Sequence, residues 1–119
     1  MANHDYDLEE RTFQFAKKVA LYCKKVPRSV SNIEYSKQAV RASGSVGANY
    51  IEANESLGVK DFALRAKISR KEAKESAYWI RLIKETNGAE YSAEAEELIV
   101  EATELKKIFS AIINKTQKE

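Results

Sequence analysis

The run Ser31–Asn54, SNIEYSKQAVRASGSVGANYIEAN, limits the possible folds more than any other stretch. It contains no proline, and it reads as one helix over 32–54, about 33 Å long. Ser31 and Glu34 have the spacing of a capping box, hydroxyl to backbone N–H one way and carboxylate back the other. At helical periodicity, Tyr35, Ala39, Ala42, Val46, Tyr50 and Ala53 form one apolar line, and Ile33, Val40, Gly44, Gly47 and Ile51 form a second. Gln38, Arg41, Ser45, Asn49 and Glu52 make a polar seam between and behind them. Two apolar lines on one helix predict protein on more than one side. Gly44 and Gly47 each weaken a helix by roughly 1 kcal/mol relative to alanine, and close approach of a neighbouring backbone is the predicted compensation. The segment therefore reads as the innermost helix of a bundle.

The remaining chain supplies three more helices. The first, over 7–26, opens at Asp7 and places Leu8, Thr12, Phe15, Ala16, Val19, Tyr22, Cys23 and Val26 on one stripe before Pro27 stops it. The third, over 60–86, carries a core line of Phe62, Ala66, Ser69, Ala73, Ser76, Ile80 and Ile83. Leu64, Ile68, Trp79 and Leu82 lie off that line, and so wide an apolar arc predicts an oligomer interface. Asn87 and Gly88 read as a left-handed helix stop. The fourth helix, over 92–115, is capped by Ser92 and buries Leu98, Ala102, Leu105, Phe109 and Ile112. One proline, four glycines and 32% charged residues fit a helical protein. The fold class is all-α: an antiparallel up-down-up-down four-helix bundle, one domain over 1–119, oligomeric.

The ordered set QAVRASGSVGANYIEAN (Gln38–Asn54), Phe62 and KEAKESAYWIRLI (Lys71–Ile83) resembles the bacterial proteins encoded in intervening sequences of large-subunit ribosomal RNA genes. The matching positions include Gln38, Arg41, Ser45, Val46, Asn49, Glu52, Glu72, Glu75 and Trp79, and the opening Asp7–Ala16 also fits. The resemblance implies a four-helix bundle assembled as a homopentameric ring. It also implies kinship with accessory proteins of retroelement reverse transcriptases, which bind nucleic acid, so RNA, DNA, a reverse transcriptase or another protein are its candidate partners. It carries no established biochemical activity with it, so it speaks to fold more than to function.

The residues themselves point away from an enzyme. The one histidine, His4, has no second histidine to complete a metal pair, and Glu72 and Glu75 read better as partners of arginine than as metal ligands. Ser45 has no base at helical spacing, and Gly44-Ser-Val-Gly47 falls inside a helix rather than in a phosphate or nucleotide loop. Cys23 reads as a small buried hydrophobe. No cofactor is called for. No run of apolar residues is long enough to span a membrane, and the opening MANHDYDLEERTF has no apolar signal segment, which predicts a cytoplasmic protein.

Charge is segregated within a net value of +2. Residues 85–104 contain no lysine or arginine, whereas Lys60, Lys67, Arg70, Lys71, Lys74 and Arg81 share one arc of the third helix, opposite its core line. Such a stripe either stays solvated or supplies sequence-independent contacts to phosphates. No aromatic residue is read as interleaved with it. Antiparallel packing about a turn near Leu57 places Arg41 beside Ala73, within reach of Glu72 or Glu75, so an Arg41–carboxylate pair with Ser45 and Asn49 is predicted to set helix register. The leading function is a non-catalytic oligomeric module that binds nucleic acid, or a protein that processes it, through the basic face. The alternative is a protein–protein scaffold in which Glu85–Glu104 matters equally.

Overall fold

The computed structural model describes residues 4–117, with side chains from Leu8 onward. Four helices follow in order: α1 (His4–Lys25), α2 (Val30–Asn54), α3 (Val59–Glu85) and α4 (Ser92–Gln117), the last preceded by a 3-10 turn at Ala89–Tyr91. Each packs on the next, and α1 meets α4 to close an elongated bundle of 47 × 28 × 20 Å. The stripes read from periodicity meet along its axis: Phe15, Val19 and Tyr22 of α1, Val46 and Tyr50 of α2, Ile80 and Ile83 of α3, Leu105 and Phe109 of α4. Tyr50 and Phe109 pack edge to face, with ring centroids 5.6 Å apart. Ile113 rather than Ile112 is the fully buried residue of the last turn.

The helix ends differ from expectation, each for a local reason. Helix α1 opens at His4, so Asp7 lies within its first turn; the side chains of His4 and Asp7 are outside the described residues. Ser29, not Ser31, caps α2, accepting from the Asn32 N–H at 3.1 Å. The earlier start buries Asn32, whose amide donates to Pro27 O at 2.9 Å and to Asn87 Oδ1 at 2.8 Å. Asn87 donates in return to Asn32 Oδ1 and to Ile83 O. This reciprocal amide pair ties the α1–α2 turn to the end of α3. No described non-glycine or glycine residue has positive φ, so Asn87 and Gly88 make no left-handed stop. The Thr86 hydroxyl and the Asn87 amide serve the last carbonyls of α3 instead. Ser92 is already helical, because the 3-10 turn after Gly88 begins the fourth helix in its place.

The largest departure concerns α2. Its first apolar line is buried from Ala39 to Ala53, with Tyr35 half-buried, but of the second only Gly47 is; Val40 is 43% and Ile51 48% exposed, and nothing lies within 4 Å of a Cβ placed on Gly44. A bundle helix has two neighbours and a shared core, which together cover about half of its surface. In α2 the seam faces α3, the Ala39–Val46–Tyr50 side faces the core, and Gly47 faces α1, leaving the rest to solvent. The helix is not enclosed. On α3, Leu64 is 55% exposed while Ile68, Trp79 and Leu82 are half-buried.

Tyr22 is fully buried and donates its hydroxyl to Tyr91 O at 3.1 Å, which joins α1 to the turn before α4. Burial, with the charges of Cys23 and Glu94 behind it, pushes its pKa from 10.0 up to about 12. The unfolded chain releases this proton first as pH rises. The Tyr22 contribution is therefore complete below pH 10.0 and is lost as pH rises through about 12. Urea unfolding across that window is expected to show a decline that Tyr22→Phe reduces.

Candidate nucleic-acid interface

Burial of Ala66, Ala73 and Ile80 turns the opposite side of α3 outward. Lys60, Lys67, Lys71, Lys74 and Arg81 are exposed there, and none forms an ion pair among the described residues. Arg70 sits at the edge, half-buried, with Nη1 donating to Ser110 Oγ of α4 at 3.3 Å. It belongs partly to the α3–α4 contact. The stripe also holds an aromatic residue that the sequence reading passed over: Tyr78, 59% exposed, lies one turn from both Lys74 and Arg81. Its spacing was the available signal.

The acidic stretch behaves differently. Arg11 makes a two-pronged contact with Glu101 at 2.7 and 2.8 Å, Lys25 holds Glu94 at 3.0 Å, and Lys84 pairs with Glu96. The Glu101 hydrogen bond raises the Arg11 pKa. Much of the negative charge on α4 is thus neutralised within the protomer, while the stripe on α3 stays uncompensated.

The polar seam lies where α2 meets α3. Arg41 reaches Glu72 at 3.5 Å and Glu75 at 3.6 Å, and its Nε donates to Gln38 Oε1 at 3.4 Å. Asn49 donates to Ser45 O and Oγ, and Arg65, absent from the sequence reading, donates to Asn49 Oδ1 at 3.1 Å. Glu52 is exposed and takes no part in these bonds. Glu72 is the buried member, and its Oε1 has no partner among the described residues. The contacts with Arg41 are long, so they position helices more than they bind tightly. Arg41→Met is expected to lower stability by about 1–2 kcal/mol by leaving the Glu72 carboxylate without its cation. Glu72→Met is expected to be milder, and the double variant no worse than Arg41→Met alone. Unfolding of Arg41→Met at the wild-type urea midpoint would remove this role.

Two of the surface grooves flank α1. A groove of about 510 Å³ between the end of α1 and the start of α2 is walled by Cys23, Val26, Ile33 and Val40. Cys23 is half-buried rather than enclosed, and burial raises its thiol pKa against the lowering bond from Ser36, which disfavours a thiolate. A shallower space of about 760 Å³ separates α1 from α4 beside the Arg11–Glu101 pair. Among the described residues no group of His, Cys, Asp and Glu is arranged to hold a metal ion, and no helix is long and apolar enough to cross a membrane.

Residues 4–111 match the 23S rRNA-intervening sequence protein family. The chain belongs to that family. Among solved structures, this family member is similar to a protein of unknown function from the S23 ribosomal protein family of Bacteroides thetaiotaomicron VPI-5482. The two share 30% identity over 89% of this chain and 97% of the other, with a TM-score of 0.74. No curated protein matches. For an intervening-sequence protein, the match spans all four helices, from the first residue of α1 into the last turns of α4.

Proposed function

We propose that this intervening-sequence protein is a non-catalytic cytoplasmic module that binds RNA or DNA along the outer face of α3. The observation that supports this most is the contrast in pairing. Arg11, Lys25, Arg41 and Lys84, at the contacts between helices, are engaged by carboxylates, whereas Lys60, Lys67, Lys71, Lys74 and Arg81 are not. Five exposed cations on one face attract phosphates without regard to base sequence. Self-assembly belongs to the same reading. Leu64 with the outer edges of Ile68, Trp79 and Leu82, or the open line of Val40 and Ile51 on α2, offers apolar surface to a second copy. In a ring, and a homopentamer is the form the family resemblance favours, symmetry repeats the stripe and multiplies its avidity.

A scaffold that binds only protein, a reverse transcriptase among the candidates, is the second reading. The exposed apolar line of α2 favours it. Light scattering of the purified protein, alone and with structured RNA or duplex DNA at low salt, separates the two. The proposed function predicts a mass above that of the 13.5 kDa chain and a further increase with nucleic acid. An oligomer whose mass does not change with either polymer supports the scaffold instead.

A further inference from the structure

We infer that the α3 face prefers unpaired nucleic acid, and that Tyr78 is the platform on which an unpaired base stacks; this rests on the nucleic-acid reading above. A tyrosine with 59% of its surface in water is well placed for contact with a partner, and this one stands inside the cationic stripe. Lys74 precedes it by one helical turn and Arg81 follows by slightly less than one, so cations flank the ring along the helix. Lys71 and Lys67 continue the line toward the start of α3. Phosphate contacts on either side of an aromatic ring are the arrangement that holds a single strand with its bases splayed. A duplex presents the same phosphates but keeps its bases stacked inside, so it gains from the lysines and not from the ring.

The ring is also held in place. Tyr78 meets Trp79 edge to face at 5.1 Å and 79°, and Trp79 packs in turn against Tyr35 of α2 at 6.1 Å. Trp79 is itself partly buried against the core. This chain of rings anchors Tyr78 to the bundle, so less side-chain freedom is lost on stacking than for a free surface tyrosine. It also provides a reporter, because Trp79 is the sole tryptophan and touches the proposed platform.

The test is anisotropy at one low salt concentration with a labelled homopyrimidine strand, as RNA and as DNA, and with a duplex. Wild type, Tyr78→Phe and Tyr78→Leu are compared, with helicity checked by circular dichroism. Tyr78→Leu is expected to weaken single-strand binding by about ten- to a hundredfold and to leave duplex binding unchanged. Tyr78→Phe, which keeps the ring, is expected to bind like wild type. Unlabelled single strand, but not duplex, is expected to change Trp79 fluorescence saturably. Wild-type affinity of Tyr78→Leu for both polymers overturns the stacking role and leaves the phosphate reading standing. Equal losses on strand and duplex overturn it as well. Failure of the wild type to bind any of the polymers overturns both.

Discussion

Gly47→Val is expected to destabilise the bundle by about 3 kcal/mol, lowering Tm by about 10 °C. A Cβ built on Gly47 lies 2.8 Å from Thr12 Oγ1 and 3.2 Å from Thr12 Cβ, so α1 and α2 touch with no room for a side chain. Thr12 has no easy retreat. It is buried, branched at Cβ, and its hydroxyl donates to Glu9 O at 2.8 Å. Separating the helices would draw Phe15 and Val19 away from the core they fill. Gly44, three residues earlier, is predicted to respond in the opposite sense. Nothing lies within 4 Å of its Cβ position, so Gly44→Ala gains helix propensity and stabilises the protomer by about 1 kcal/mol. Thermal and urea unfolding measure both. Thr12→Ala in a Gly47→Ala background is expected to restore stability relative to Gly47→Ala alone. A Gly47→Val protein as stable as wild type would contradict the close α1–α2 contact.

Reversing three charges of the stripe, Lys67→Glu with Lys71→Glu and Lys74→Glu, is expected to weaken binding to structured RNA or duplex DNA by about a hundredfold at low salt. All three lysines are exposed and make no ion pair among the described residues, so the fold should be unaffected. Such a variant also lowers total charge, and any cationic protein binds less when made acidic. The matched control is Lys17→Glu, Lys24→Glu and Lys107→Glu, three exposed lysines on α1 and α4. It changes net charge equally and is expected to bind within a few-fold of wild type. Gel shift of the two triple variants side by side reads the difference. Equal losses would mean diffuse attraction rather than a binding face.

What could be read before folding was what helical periodicity encodes. The buried lines through Phe15, Val46, Ile80 and Leu105 follow from spacing alone, and the placement of Arg41 near Glu72 follows once α2 and α3 are packed antiparallel about the turn near Leu57. Periodicity does not say what lies opposite an apolar line, which is why the Val40–Ile51 side of α2 read as enclosed and stands open. Gly44 and Gly47 look alike in a sequence; only the approach of Thr12 separates them. Ser29 and Ser31 are both able to cap, and the choice is made by Asn32 reaching Asn87, which is remote in the chain. Arg65 was within reach of the same register, which sets Asn49 level with it as it sets Arg41 level with Ala73. Tyr78 was within reach of the spacing argument, but an arc drawn from charges alone leaves aromatics out.

The phosphate-binding role of α3 is tested most directly by the affinity of the wild-type protein for duplex DNA measured across a salt series. Five free cations on the α3 face predict a steep line of log K against log salt, with a slope of about −4.5 if each meets one phosphate. Affinity that stays flat as salt rises, or that is absent even at the lowest salt, would contradict it.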